Sequence, residues 1–236
     1  NFSAGISIMK LLIILSVIIM NQISFTQTDD WANLNRYKQE NLILDPPLEN
    51  EDRVVFMGNS ITEGWKTVDP DFFTENQFIN RGISGQTTPK MLIRFRQDVV
   101  NLKPKIVVIL AGTNDIAGNT GPSTLEMIED NIFSMAEIAK TNNIKVILCS
   151  VLPVFDYPWK QGINPSEKII ELNKRIKTYS QNNQFVYVDY FSEMADENNG
   201  LKKEYSKDGV HPNVDGYKVM KPIIEKAINY LLRTEH

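Results

Sequence analysis

Residues 54–63 read Val54-Val55-Phe56-Met57-Gly58-Asn59-Ser60-Ile61-Thr62-Glu63, an apolar run that breaks off into glycine and polar residues. Consecutive apolar residues without alternation are typical of a strand buried on both faces. Gly58 permits a sharp exit of the chain, and Ser60 lies at the start of a predicted short helix. A strand that turns directly into a helix is the repeating unit of parallel sheets, so this stretch predicts an α/β fold.

The same alternation of strand and helix continues to the C-terminus. Further buried strands are predicted at 106–111, 145–150 and 185–188, with a weaker one at 78–79. Helices are predicted at about 88–101, 123–141, 166–182 and 214–233. We therefore expect a three-layer α/β/α sandwich around a five-stranded parallel sheet. In open sheets of this kind, sites form just past the carboxyl ends of the strands.

Residues 1–26 are interpreted as a secretory signal peptide with a few upstream residues. Lys10 precedes an apolar run at 11–20, and the small residues Ser24 and Thr26 follow at the spacing of a signal peptidase site. The run is too short to span a bilayer, and cleavage is expected near Thr26. A secreted or periplasmic protein is predicted, with a retained membrane anchor as the alternative.

The mature chain is predicted to have two parts. Residues 27–52 form an N-terminal helix and a linker, and 53–236 form the main domain. The helix is predicted to begin after Asp30 and to place Trp31, Leu34 and Tyr37 at helical spacing, before Pro46 and its neighbours end it.

Composition excludes several classes of function. The 236 residues are 42% hydrophobic and 23% charged, which is ordinary for one globular domain. A net charge of −4 argues against nucleic acid or an anionic membrane surface as the main partner. Cys149 is the single cysteine, and no Cys/His cluster has metal-ligand spacing. We therefore expect no metal and no other cofactor, and the oligomeric state is left open.

Histidine is scarce, which narrows the choice of a catalytic base. The chain has two histidines, and His236 is the last residue, so His211 is the one expected in a folded interior. Histidine is the side chain that titrates near neutral pH without perturbation. Asp208 lies three positions earlier, where a turn would let its carboxylate accept the Nδ1 proton of His211.

Ser60 has two interpretations. Its place after a strand suits a nucleophile, because the amides of a helix N-terminus favour developing negative charge. The spacing from Ser60 to Glu63 is also that of a helix capping box, which taken alone is the commoner use. Ser84 is a rival nucleophile, but no long apolar strand leads into it.

Two further strand ends carry candidate oxyanion donors. Gly82 lets the backbone approach a substrate closely, although it equally fits a plain turn. Asn114, in Gly112-Thr113-Asn114-Asp115, follows the strand at 106–111. Its amide suits an oxyanion donor or, again, a turn. Each motif alone is weak, but their order and their placement at strand ends fit one reaction.

Together these residues resemble the sequence blocks of the SGNH hydrolases, also called GDSL-like lipases/acylhydrolases. Ser60, Gly82, Asn114 and His211 match the Ser, Gly, Asn and His from which the family takes its name, and the resemblance covers about 53–233. It implies a flavodoxin-like fold and serine ester hydrolysis without a metal. Asn59 departs from the name-giving motif, which has Asp at that position.

The resemblance also implies a role for each residue. Ser60 attacks the ester carbonyl, His211 takes its proton, and Asp208 orients the imidazole. The amides of Ser60 and Gly82 and the side chain of Asn114 hold the oxyanion. The chain in general, including a leader helix at 31–37, is similar to bacterial esterases related to the platelet-activating-factor acetylhydrolase branch.

The loop at 152–159 is the candidate substrate wall. Tyr157 and Trp159 either line the site, as an acyl pocket or a platform for a sugar ring, or cap the core. Trp65, one turn beyond Ser60, is expected in the core rather than in the wall.

The leading hypothesis is an exported serine esterase that removes short acyl groups, above all acetyl, from carbohydrate. Its expected partners are a small-molecule or glycan ester, with no nucleic acid and no stable membrane insertion after signal cleavage. One alternative is a lysophospholipase or thioesterase acting on longer acyl chains. Another is a non-catalytic glycan-binding module, which predicts loss of Ser60, Asn114 or His211, and all three are present.

Overall fold

Five parallel strands form one sheet in the computed structural model, which describes residues 30–234. The strands are β1 (Val54–Gly58), β2 (Ile79–Gly82), β3 (Ile106–Leu110), β4 (Lys145–Cys149) and β5 (Val186–Val188). Their order across the sheet is β2-β1-β3-β4-β5, which is the order of flavodoxin-like doubly wound sheets. The predicted α/β class and five-stranded parallel sheet are confirmed.

Helices connect the strands and cover both faces of the sheet. They are α1 (Lys38–Ile43), α2 (Ser60–Val68), α3 (Pro70–Glu75), α4 (Thr88–Asp98), α5 (Thr113–Ile116), α6 (Leu125–Thr141), α7 (Ser166–Asn183), α8 (Phe191–Met194) and α9 (Val214–Arg233). Single 3-10 turns lie at Val100–Leu102 and Lys203–Tyr205.

The two faces of the sheet build two separate apolar clusters. In β1, Val55 and Met57 point to the cluster that contains side chains of α4, α6 and α7. Their neighbours Val54 and Phe56 point to the cluster that contains side chains of α2, α3 and α9. This period of two, with apolar residues at every position, is what a strand buried on both faces requires.

The N-terminal helix begins later than predicted. Residues 31–37 form turns, and α1 starts at Lys38. Asn33 adopts a left-handed backbone conformation with φ of 58°, which a continuing right-handed helix cannot accommodate. Tyr37 is nevertheless buried, and its hydroxyl donates to the carbonyl of Gly82. The elements from α1 onward lie in one compact unit that begins at Ala32.

The predicted signal peptide at 1–26 lies outside the described residues. Within 30–234, no helix is both long and apolar enough to cross a membrane.

Candidate active site

The strand order reverses between β1 and β3, and the candidate residues lie at this point. Gly58, at the end of β1, pairs with Gly82 on one side and Leu110 on the other. The segments that follow these three strands therefore emerge together at the carboxyl edge of the sheet. Crevices for ligands form at such reversals in open α/β sheets.

Ser60 does not cap its helix. The N-cap of α2 is Asn59, whose side-chain oxygen accepts from the amide of Ile61 at 3.0 Å. Asn59 thus performs the cap that the Ser60–Glu63 spacing suggested, and the capping-box interpretation of Ser60 is wrong. The carboxylate of Glu63 instead accepts from the amide of Ser84 at 2.9 Å. The hydroxyl of Ser60 lies 2.9 Å from Nε2 of His211.

His211 is oriented from its other ring nitrogen. Its Nδ1 lies 2.7 Å from Oδ2 of Asp208, so Nδ1 carries the proton and Nε2 is left to accept from Ser60. The second carboxylate oxygen, Oδ1, accepts from the amides of Val210 and His211. Burial raises the pKa of Asp208, but these hydrogen bonds outweigh it and lower the pKa to about 2. Asp208 is therefore ionised at neutral pH.

The loop that carries this pair is held at both ends. The backbones of Ser206 and Pro212 pair in an isolated antiparallel β-bridge. The hydroxyl of Ser206 also donates to the carbonyl of His211 at 2.8 Å. Asn213 caps α9 by accepting from the amides of Asp215 and Gly216. The imidazole is therefore presented from a short, fixed loop.

Gly82 sits where only glycine fits. A Cβ at this position would lie 2.2 Å from the amide nitrogen of Glu63 in the first turn of α2. Its own amide donates to the side-chain oxygen of Asn80 at 2.9 Å. An oxyanion held by Gly82 would have to share or displace that bond. Sequence reasoning missed Asn80, although asparagine often bonds the amide two residues on.

Asn114 is buried and held on both sides of its amide. Its Nδ2 donates to the carbonyl of Gln86 at 3.0 Å, and its Oδ1 accepts from Nδ2 of Asn119 at 3.0 Å. An amide nitrogen has two hydrogens, so one remains for a further acceptor. The next residue, Asp115, accepts from the amide of Thr88 at the start of α4. Burial raises the pKa of Asp115 to about 6, against the hydrogen bonds from Thr88.

The two candidate wall residues have different environments. Trp159 is 46% exposed, and its ring centroid lies 6.0 Å from that of His211. Tyr157 is 1% exposed, and its hydroxyl donates to the carbonyl of Thr113 at 2.8 Å. Tyr157 therefore caps the core and does not line the site, because its hydroxyl finds a backbone partner inside. Trp65 lies in the core as expected, stacked between Phe72 and Tyr217.

Ser84 is not placed as a nucleophile. It is exposed, and its hydroxyl donates to the carboxylate of Glu63. A nucleophilic serine needs a base such as histidine within hydrogen-bond reach.

A buried arginine joins the end of β1 to the loop after β2 and was missed by the sequence analysis. The Arg94 side chain is fully buried; it donates to the carbonyl of Gly58 at 3.1 Å and to the side chain of Gln86. Asp98 balances its charge at 2.9 Å. In sequence, an Arg and an Asp four apart on a helix indicate an exposed ion pair, so nothing marked this one as buried.

The described residues contain no cluster of three or more His, Cys, Asp or Glu side chains placed to hold a metal ion. What they bring together is a hydroxyl, an imidazole and a carboxylate in hydrogen-bond sequence. This arrangement is able to remove a proton from the hydroxyl as it attacks a carbonyl carbon.

The chain is similar to known acylhydrolases. Residues 56–219 match the GDSL-like Lipase/Acylhydrolase family. A solved structure of a protein assigned as an acylhydrolase, from Bacteroides fragilis, is 52% identical and has a TM-score of 0.85. The match covers 86% of this chain and 99% of that one.

Two curated relatives are similar over shorter stretches. The uncharacterized lipoprotein YqeF of Bacillus subtilis is 35% identical over 33% of each chain. Platelet-activating factor acetylhydrolase IB subunit alpha2 of Rattus norvegicus is 27% identical over 55% of each chain. The matches thus span a third of the first relative and about half of the second.

Proposed function

This chain belongs to the GDSL-like lipase/acylhydrolase family, and we propose that it is an exported serine esterase that removes short acyl groups, above all acetyl, from carbohydrate. The observation that carries the serine mechanism is the unbroken sequence of contacts from the hydroxyl of Ser60 through the ring of His211 to Asp208, at 2.9 and 2.7 Å. Both distances lie in the range of good hydrogen bonds.

The proposed reaction has two halves. Oγ of Ser60 attacks the ester carbonyl carbon while Nε2 of His211 takes the hydroxyl proton, and Asp208 stabilises the resulting imidazolium. The tetrahedral intermediate collapses to an acyl-serine, and His211 gives its proton to the departing alcohol. Water then repeats the sequence on the acyl-enzyme, releasing the acid and restoring Ser60.

The oxyanion is proposed to lie among the amides of Ser60 and Gly82 and the side chain of Asn114. The free hydrogen on Nδ2 of Asn114 supports this role, as does the N-terminal position of Ser60 in α2. The amide of Gly82 already donates to the side-chain oxygen of Asn80, so the oxyanion would share this N–H with Asn80.

The substrate class is inferred from the surroundings of His211. The exposed ring of Trp159 forms a flat apolar surface beside the imidazole, which suits the apolar face of a sugar ring on the alcohol side of the ester. The relationship to platelet-activating factor acetylhydrolase supports acetyl as the acyl group.

Export is proposed from the apolar run at 11–20 and is supported by the relationship to a lipoprotein of Bacillus subtilis. N-terminal sequencing of the protein recovered outside the cytoplasm should begin near Gln27. Recovery of the unprocessed chain from the cytoplasm would contradict export.

The substrate proposal is tested by an acyl-length series. We expect kcat/KM to fall from 4-nitrophenyl acetate through butyrate to octanoate, and acetylated xylose to release acetate. Ser60→Ala is the control that separates enzymatic from spontaneous hydrolysis. A preference for octanoate would favour the lysophospholipase or thioesterase alternative, and equal rates for wild type and Ser60→Ala would contradict the serine mechanism.

A further inference from the structure

A chain of hydrogen bonds leads from the exposed Trp159 to the buried Asn114 through one residue, Asn119. The indole Nε1 of Trp159 donates to Oδ1 of Asn119 at 3.3 Å. Nδ2 of Asn119 donates to Oδ1 of Asn114 at 3.0 Å. Asn114 then donates to the carbonyl of Gln86 at 3.0 Å.

The chemistry at the two ends decides which way both amides face. An indole N–H is only a donor, so Asn119 must turn its oxygen toward Trp159 and its NH₂ group toward Asn114. The carbonyl of Gln86 is only an acceptor, so Asn114 must turn its NH₂ group toward it. If the side-chain amide of either asparagine were reversed, its NH₂ group would face another donor and its oxygen would face another acceptor.

The backbone holds Asn119 in place for this contact. Gly118 adopts a left-handed conformation with φ of 71° and folds the chain back, so that the amide of Asn119 donates to the carbonyl of Asn114 at 3.0 Å. Asn119 is therefore fixed to Asn114 by both backbone and side chain.

We propose that Asn119 is a positioning residue that fixes the Asn114 amide with its NH₂ group presented to the reacting carbonyl. It acts through Asn114 without touching the substrate, and it links the Trp159 ring to the oxyanion donor. The inference rests on the proposed function, since it assigns Asn119 to the oxyanion pocket of the Ser60 reaction.

The test replaces the donor of Asn119 while keeping its size. In Asn119→Asp, one carboxylate oxygen still accepts from Trp159, but the other faces Oδ1 of Asn114 without a hydrogen. We expect kcat for 4-nitrophenyl acetate to fall about tenfold, less than the ~10²–10³ of losing an oxyanion donor outright. KM should change less than about twofold, because the bond matters most in the transition state.

A double-mutant cycle separates positioning from a general structural effect. In an Asn114→Ala background, Asn119→Asp should lower kcat by less than about twofold, because the group that it positions is gone. Trp159→Phe keeps an aromatic ring beside His211 but removes the Nε1–H together with the five-membered ring that carries it. It should give a smaller loss of kcat for 4-nitrophenyl acetate that also disappears in that background. Asn229→Asp, which adds the same charge on the exposed face of α9, is the matched control and should leave kcat unchanged.

The outcomes distinguish this inference from the function on which it rests. If Ser60→Ala is inactive and Asn119→Asp matches wild type, or lowers kcat equally in both backgrounds, Asn119 is not a positioning residue. If Ser60→Ala keeps the wild-type rate, the serine mechanism itself fails, and Asn119 has no oxyanion pocket to serve.

Discussion

The hydroxyl oxygen of Ser60 lies 2.9 Å from Nε2 of His211, although 151 positions separate the two residues in the chain. Ser60 begins α2, and α9 follows His211; a second long-range contact joins these two helices, in which the hydroxyl of Tyr217 donates to the carbonyl of Ile61 at 2.8 Å. Tyr217 is buried against Trp65, so this contact is shielded from water. The α2–α9 packing thus sets the distance between the proposed nucleophile and base.

Asn59 should contribute to the stability of the fold, and Ser60 to catalysis, so replacing them separately should affect different properties. Asn59→Ala removes the N-cap of α2 and should lower the free energy of unfolding by about 1 kcal/mol. Ser60→Ala should leave that free energy nearly unchanged and abolish hydrolysis. Urea unfolding and initial rates on 4-nitrophenyl acetate measure the two effects. A Ser60→Ala variant that unfolds early and still turns over would return the capping role to Ser60.

Substitutions of Asn114 should affect kcat more than KM. Asn114→Ala removes the free Nδ2 hydrogen and should lower kcat by about 10²–10³. Asn114→Asp keeps the size but places a carboxylate before a developing oxyanion, so it should be at least as inactive. Steady-state kinetics on the acetyl ester measure both. An Asn114→Asp enzyme with kcat near that of wild type would place the oxyanion pocket elsewhere.

Asp208 should stabilise the folded protein at neutral pH and lose this effect in acid. Hydrogen bonds, acting against burial, lower its pKa from 3.8 to about 2 on folding. The unfolded chain therefore binds the proton more readily, and the contribution is present above pH 4 and lost as the pH falls from about 4 to 2. Because the side chain is 39% exposed, we expect a small effect. The difference in unfolding free energy between wild type and Asp208→Asn should narrow over this range, and a constant difference would contradict it.

Asp115 should have the opposite effect. Burial raises its pKa from 3.8 to about 6, so the folded protein holds this proton more tightly than the unfolded chain. The contribution of Asp115 to the free energy of unfolding should therefore fall as the pH rises from about 4 to 6. Asp115→Asn keeps an oxygen for the amide of Thr88 and should remove this component of the pH dependence. Identical slopes in the two proteins between pH 4 and 6 would contradict the shift.

The strands and long helices could be predicted from the sequence because the spacing of apolar residues differs between strands and helices. Val54–Gly58 is apolar at every position before its glycine, as a doubly buried strand requires. Ser60, Gly82 and Asn114 could be predicted because they lie at or just past the ends of such strands, and His211 because the chain has only one other histidine, at its last position. The late start of α1 could not, since asparagine tolerates the left-handed conformation that Asn33 adopts but does not require it.

The supporting contacts of the site depend on tertiary packing and leave little trace in the sequence. Tyr157 and Trp159 are two residues apart in the same loop, yet one is 1% and the other 46% exposed. Which ring turns inward depends on the carbonyl of Thr113, which is distant in the chain. Arg94 likewise binds Gly58 across 36 positions, which the spacing within α4 does not reveal.

Covalent labelling of the serine shows whether Ser60 is a nucleophile activated by His211. The protein is incubated with diisopropyl fluorophosphate, which phosphorylates activated serines with loss of fluoride, and the modified peptide is identified by mass spectrometry. We predict one adduct per chain, on Ser60, absent in Ser60→Ala and formed far more slowly in His211→Ala. An adduct on Ser84 would mean that Ser60 is not the nucleophile, and labelling of Ser60 at the same rate in His211→Ala would mean that His211 does not activate it.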